Sequence, residues 1–265
     1  MSGSITPASS AAREAIPGLL ETHGDLIYAL GLRLCGDEDN AADLVQETFV
    51  QALSSWDSFE GRSLSSTWLY TIATRACSRM SRLRAGEPRH MDSLTRLLPS
   101  GEEGVIQLPS DDDPEEDAVR NAAVEAILAA VVQLPLDFRL PFVLKEMADF
   151  SVAEVAEVLS VKPATVKTRL HRARLRVRQL MAETLPTRPA RPHDHNREEC
   201  LALLRAKQES MDNDTVFPLS LEELCVRCRP VFETLDFTHT VCSTLCDGQM
   251  PDELRTALSR ALASA

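Results

Sequence analysis

The segment from Ser151 to Arg178 constrains the fold more strongly than any other part of the sequence. Ser151 can cap a short first helix, and Pro163 suits the first turn of a second helix because its missing N–H has no partner there. Residues 160–162 form a tight turn between the two helices. The pattern therefore predicts a short helix, a turn and a longer basic helix. The side chains expected to face inward are Val152, Val155, Ala156 and Leu159 in the first helix and Val166, Leu170, Ala173 and Val177 in the second.

This arrangement is typical of a helix-turn-helix, in which the second helix enters the major groove of DNA. Side chains early in that helix reach base edges, and the arginines that follow contact phosphates. A solvated amphipathic helix with a basic face is the simpler alternative. The residues predicted to face DNA are Thr165, Lys167, Thr168, Arg169 and Arg172.

The charge distribution favours a nucleic-acid partner, although the chain as a whole has a net charge of −12. Residues 162–178 contain seven basic residues and no acidic one, whereas residues 101–117 contain eight acidic residues and no basic one. A basic helix is a better guide to a polyanionic partner than the sum of all charges.

The composition favours an all-α fold, because Ala, Leu, Arg and Glu dominate and β-branched runs are scarce. Within the first block of helices, Asp39 or Asn40 can cap the second helix, and a third is expected from about residue 65 to residue 84. Proline-rich stretches separate the blocks. The expected segments are a helical block at 13–86, an extended acidic linker at 87–117, a second helical block at 118–185 and a small helical Cys-rich block at 197–265.

Two of these blocks resemble one known family. Residues 134–174, with the run TVKTRLHRAR, resemble region 4 of the extracytoplasmic-function (ECF) sigma factors. Residues 37–84, with the runs DLVQE and TWLY, are similar to region 2 of the same family. The resemblance implies that the chain directs the RNA polymerase core to promoter DNA and is not an enzyme. It also assigns residues 13–86 to region 2 and residues 118–185 to region 4.

The resemblance implies a role for individual residues. Ser65 stands where an aromatic residue is common in the family, and Arg75 stands where Asn is common, so the −10 preference of the family does not carry over. Trp56 and Trp68 are expected to pack in the core. The implied polymerase-binding residues are Asp43, Leu44, Gln46 and Glu47; the implied −10 contacts are Phe59, Gly61, Arg62, Ser63, Arg75 and Arg79; the implied −35 contacts are Thr165, Lys167, Thr168, Arg169 and Arg172.

Five of the seven cysteines fall in the last quarter of the chain, as a CxxC pair, a CxxxC pair and a single residue. Thiolates three or four positions apart on a helix point the same way, so two such pairs can enclose a tetrahedral metal site. Sulfur-rich sites select Zn²⁺, Cd²⁺ or Cu⁺ over hard cations. The candidate metal ligands are Cys200, Cys225, Cys228, Cys242, Cys246, His193, His195 and His239.

Two other interpretations of these cysteines stay open. They can be small buried core residues, as we expect for Cys35 and Cys77, or they can form a thiol redox sensor without metal. An ECF factor that ends in a Cys-rich domain resembles the CorE-type metal-responsive sigma factors, which implies regulation by metal bound in the same chain. The absence of a CxC pair favours zinc or cadmium, with copper still open.

Several other classes are disfavoured. The sequence has neither a long apolar run nor a basic and apolar leader, so we expect a cytoplasmic protein with no membrane partner. A sensor within the chain suggests that no separate anti-sigma factor is required. A thiol oxidoreductase is disfavoured because no βαβ pattern surrounds Cys225. A helix-turn-helix metal-responsive regulator outside the sigma family remains an alternative.

Overall fold

A computed structural model describes residues 9–59, 61, 64–83, 88–99, 104–109, 117–191, 197–245 and 248–264. These residues are mostly helical, and the all-α prediction is confirmed. The elements are α1 (Ser10–Cys35), α2 (Glu38–Ser55), α3 (Ser65–Leu83), α4 (Leu94–Leu97), β1 (Gly104–Ile106), α5 (Asp117–Val132), α6 (Leu136–Phe142), α7 (Val152–Leu159), α8 (Pro163–Thr184), β2 (Thr187–Pro189), α9 (Arg197–Asp212), α10 (Cys228–Thr244) and α11 (Asp252–Ser264).

Helices α1, α2 and α3 form the first helical body. The first helix stops at Gly36, whose φ of +86° favours glycine. The carboxylate of Asp37 accepts a hydrogen bond from the backbone N–H of Asn40 at 2.8 Å, so the cap lies before the predicted Asp39 or Asn40. Helices α1 and α2 touch at Gly31, where an added Cβ would lie 2.9 Å from the Cα of Ala41.

Helices α5 to α8 form the second body, and α8 packs against α5, α6 and α7. One π-helical turn, Val143–Met147, follows α6 and carries the side chains of Lys145 and Glu146 into the interior. The two bodies pack directly on each other. The rings of Tyr70 and Phe150 meet edge to face with centroids 4.9 Å apart.

The stretch predicted as an extended linker is packed where it is described. Leu97 in α4 and Ile106 in β1 are buried in the common core. Strand β1 pairs antiparallel with β2, with Val105 opposite Arg188. The two proline-rich stretches therefore meet, because each can satisfy its backbone hydrogen bonds with the other.

The Cys-rich block packs on both bodies. Helix α10 packs against the Val143–Met147 turn and α8, and α11 packs against α1 and α2. The carboxylate of Asp25 accepts hydrogen bonds from the backbone N–H of Met250, at 2.8 Å, and from the side chain of Arg255. None of the described helices is both long and apolar enough to cross a membrane.

Arg139 joins the two helical bodies in their interior. Its side chain is 1% exposed and donates to the carbonyl oxygens of Leu134, at 2.8 and 3.1 Å, Leu34, at 2.6 Å, and Val132. The last two carbonyls lie near the C-terminal ends of α1 and α5, where helices leave acceptors without helical partners. One guanidinium thus satisfies two helix ends.

We predict that Arg139→Met lowers the free energy of unfolding by about 2 kcal/mol or more, because buried carbonyls lose charged donors. Urea unfolding followed by circular dichroism measures the effect. The matched control is Arg75→Met, since Arg75 is exposed on α3 and should change stability little. Equal stability of the two variants would contradict this role for Arg139.

Candidate functional site

Helices α7 and α8 form the predicted helix-turn-helix. The Ser151 hydroxyl accepts from the backbone N–H of Glu154 at 3.2 Å, and the Glu154 carboxylate accepts from the backbone N–H of Ser151 at 2.8 Å. Ser160 turns the chain with a φ of +54°, and Pro163 begins α8. All four predicted inward residues of α8 are buried, whereas in α7 Val158 is buried instead of Leu159.

One side of the basic face of α8 contacts the Cys-rich block. Lys167 forms an ion pair with Glu209. His171 lies 2.9 Å from the carboxylate of Asp212, and Arg174 donates to the same carboxylate at 2.6 Å. Lys167 thus faces outward and is paired with an acidic residue of α9, and 28% of its side chain remains exposed.

The other side of α8 contacts α6 of the same body and Asp92, which precedes the body. Arg172 donates to the backbone carbonyl of Asp92 at 2.7 Å, and its guanidinium lies 4.9 Å from the ring centre of Phe138. Arg169 lies 3.7 Å from the carboxylate of Asp137. Arg169 and Arg172 are therefore half-buried, each with a partner inside the chain.

The two threonines of the predicted −35 set differ in their environment. Thr165 is half-buried, and Thr168 is exposed. The hydroxyl of Thr168 donates to the carbonyl of Ala164 in its own helix at 2.9 Å.

The predicted polymerase-binding surface lies on α2. Leu44 is 0% exposed and belongs to the core, so the structure removes it from the accessible set. Asp43, Gln46 and Glu47 are exposed, and Glu47 pairs with Arg79 at 2.7 Å. Val50, which was not among the predicted residues, is also exposed and lies at helical spacing on the same side.

The predicted −10 loop follows an aromatic cluster. The ring of Phe59 lies 5.4 Å from that of Trp56 and 5.1 Å from that of Trp68. Gly61 has a φ of +67°, which favours glycine at this turn. Arg75 is exposed on α3, like Arg79. Arg62 and Ser63, also predicted to contact the −10 element, lie outside the described residues.

Three of the predicted metal ligands come together. The Sγ atoms of Cys200, Cys225 and Cys228 all lie within 4.8 Å of one another. In a tetrahedral zinc site with Zn–S bonds of about 2.3 Å, neighbouring sulfurs are about 3.8 Å apart, so this thiol cluster suits such an ion. The backbone N–H of Cys228 points at the Sγ of Cys225 at 3.4 Å. Burial raises the pKa of the Cys228 thiol, and the neighbouring thiols raise it further.

Two other predicted ligands lie elsewhere. Cys228 and Cys242 sit on the same helix, α10, fourteen residues apart, which corresponds to about 21 Å along the axis. Cys242 is therefore too distant to share the site. His239 instead bonds through Nδ1 to the carboxylate of Glu146 at 2.7 Å. His193, His195 and Cys246 lie outside the described residues.

Glu146 is the centre of a buried charge network that sequence reasoning missed. Its carboxylate accepts from Arg174 at 2.7 Å and contacts His239. Burial alone would raise the pKa of Glu146, but the charge of Arg174 and the hydrogen bond to His239 outweigh it and lower the pKa to about 2. The hydrogen bond to Glu146 raises the pKa of His239. No local sequence pattern marks these partners, which come from separate segments.

Comparisons with known proteins identify this architecture. Family models of Sigma-70 region 2 and of Sigma-70, region 4 match residues 19–86 and 124–177. The ECF RNA polymerase sigma factor SigW of Bacillus subtilis is 33% identical over 175 residues, which cover 64% of this chain and 91% of SigW. The chain belongs to the ECF sigma factors. This sigma factor is therefore a DNA-binding transcription initiation factor that takes part in promoter recognition by RNA polymerase.

Two solved structures are similar to parts of this chain. The sigma factor RpoE of Bartonella quintana, solved with the anti-sigma factor NepR, is 25% identical, with a TM-score of 0.45 over 64% of this chain and 98% of RpoE. CnrH, solved with the cytosolic domain of CnrY, is 22% identical, with a TM-score of 0.46 over 66% of this chain and 94% of CnrH. A second protein is bound in both complexes. The prediction that no separate anti-sigma factor is required is wrong on this finding.

We predict that the contribution of His239 to stability depends on pH. Because its pKa is raised in the folded chain, the contribution is complete below the ordinary value of 6.5 and is lost as the pH rises through the raised pKa. Urea unfolding of wild type and His239→Gln from about pH 5.5 to pH 9 should show a difference in stability that shrinks as the pH rises.

His23→Gln serves as the control for this series. Burial lowers the pKa of His23, so its contribution should be lost as the pH falls, which is the opposite trend. A His239 effect that is constant over the range would contradict the assignment of Glu146 as its partner.

Proposed function

We propose that this sigma factor is regulated in cis by a metal ion bound at the thiol cluster of Cys200, Cys225 and Cys228. The observation that supports it is the approach of three sulfurs from two distant segments to within 4.8 Å. Zinc, cadmium and copper all suit soft thiolate ligands. Zinc or cadmium is the proposed metal because the sequence has no CxC pair, and copper is the less favoured choice. His193 and His195, just before α9, are the proposed sources of a fourth ligand.

The proposed effect of the metal is to fasten α9 to the beginning of α10. Cys200 lies in the second turn of α9, Cys225 lies in the connecting segment, and Cys228 is the first residue of α10. The free energy of metal binding becomes folding free energy when the unfolded chain has no preformed site. Both helices also contact region 4, through Asp212 and His239, so metal binding there can change what region 4 does.

We further propose roles for individual residues of the sigma body. Asp43, Gln46 and Glu47 on α2 would bind the RNA polymerase core, since their side chains remain accessible. The −10 contacts would come from the region between Phe59 and α3, with Arg75 and Arg79 holding phosphates. The −35 contacts would come from Thr165, Lys167, Thr168, Arg169 and Arg172 on α8.

We predict that purified protein binds about one Zn²⁺ or Cd²⁺ per chain and that Cys228→Ser lowers this content by more than half. Removal of one thiolate leaves the ion short of a ligand. Metal content is measured by inductively coupled plasma mass spectrometry after dialysis. The matched control is Cys242→Ser, a buried cysteine on the same helix and outside the cluster.

Two results would contradict the metal proposal. One is equal metal content in Cys228→Ser and Cys242→Ser. The other is a promoter reporter that responds to diamide in metal-free medium and is unaffected by zinc, cadmium or copper, as the thiol redox sensor predicts.

We predict that Asp43→Arg lowers run-off transcription with purified core enzyme by about tenfold or more, because a misplaced charge at a protein interface costs over 1.4 kcal/mol. The control is Glu38→Arg, the same charge reversal on an exposed residue five positions earlier, on the opposite side of α2. Equal transcription by both variants would remove Asp43 from the polymerase surface.

A further inference from the structure

Helix α9 contacts α8, the second helix of the helix-turn-helix, through its side chains. Lys167, His171 and Arg174 occupy successive turns on one side of α8. Their partners are Glu209 and Asp212, three residues apart in the last turn of α9. Two carboxylates of one helix thus meet three basic groups of the other.

This contact is a formed interface and not a chance pairing of surface charges. The side chain of Asp212 is 0% exposed, and that of Arg174 is 2% exposed. Arg174 also contacts the backbone carbonyl of Gln208 at 3.5 Å. Leu204 of α9 is buried and lines a crevice of about 210 Å³ together with Leu175 of α8.

The carboxylates of α9 lie at the side of α8 where phosphates of DNA would bind. In a helix-turn-helix the early turns of the second helix face the groove, and basic side chains beside them contact phosphates. Because Glu209 already pairs with Lys167, a phosphate can bind this ammonium group only by displacing the Glu209 carboxylate. On the other side, Asp92 lies 3.4 Å from Arg176, and its carbonyl accepts from Arg172.

We infer that α9 is a built-in competitor of promoter DNA: Glu209 pairs with the proposed phosphate-binding side chain of Lys167, and Asp212 anchors α9 to α8 through His171 and Arg174. The structure is the closed form of the sigma factor. DNA binding requires α9 to leave α8, and the polymerase-binding side chains of α2 stay exposed meanwhile. Cys200 of the thiol cluster lies on the same helix, so this inference deepens the proposed regulation by naming the surface that the Cys-rich block controls.

The test uses full-length protein and a fluorescein-labelled duplex of about 30 base pairs at low salt, because phosphate contacts do not depend on sequence. Glu209→Gln removes one competing charge without adding a cation. It should bind the duplex about threefold to fivefold more tightly than wild type in fluorescence anisotropy, the range of one surface ion pair. Glu253→Gln, on the exposed side of α11, makes the same charge change and should bind like wild type. Equal affinity of Glu209→Gln and wild type would overturn the inference.

Hydrogen–deuterium exchange of the wild-type chain gives a second readout. A saturating amount of the duplex should accelerate exchange of the α9 amides and slow exchange at the beginning of α8. Unchanged protection of α9 in the DNA complex would also overturn the inference, since DNA and α9 would then bind α8 together. Neither readout depends on metal content, so this inference and the metal proposal can fail separately.

Discussion

The buried pairing of Arg174 with Glu146 and Asp212 holds the Cys-rich block against region 4. Ions removed from water cost several kcal/mol each, and such a cluster persists only when every charge is compensated. Here one guanidinium lies 2.7 Å from the first carboxylate and 2.6 Å from the second. The three residues belong to the Val143–Met147 turn, α8 and α9, so the position of α9 depends on a partner within the helix-turn-helix. If Arg174 were lost, two buried carboxylates would be left without their shared cation.

The network also changes how many of the basic residues of α8 are available to DNA. Seven basic residues between 162 and 178 look like a DNA-binding face when they are read along the sequence. In the fold, Arg174 and Arg178 are buried, and Arg172 contacts a backbone carbonyl and an aromatic ring. A positive charge on this helix can pair with a carboxylate of the same chain or with a phosphate of DNA, and these two kinds of anion compete for it.

Local chemistry made part of this structure predictable. The cap at Ser151, the turn at Ser160 and the proline at the beginning of α8 act over a few residues, and the sequence analysis found all three. It misplaced Cys242 because nothing in the sequence showed that α10 begins at Cys228 and runs through Cys242 without a break. The pairs Lys167–Glu209 and Glu146–His239 join residues 42 and 93 positions apart. Periodicity carries no information about such pairs, which depend on how the helices pack.

The packing of the two sigma regions imposes a further condition on promoter recognition. The −10 and −35 elements are named for positions about 25 base pairs apart, which is about 85 Å of B-DNA. A compact chain of this length has a radius of gyration of about 18 Å, and a sphere of that size is about 47 Å across. Regions 2 and 4 touch in this structure, since α3 packs against α7 and the ring of Tyr70 meets that of Phe150 just before α7. The proposed −10 and −35 contacts therefore require regions 2 and 4 to separate, which breaks the contacts of Arg139 with Leu34 as well as those of α9 with α8. The polymerase contacts proposed for α2 need no such opening, so in this proposal binding to polymerase comes first and supplies the free energy that separates the two regions.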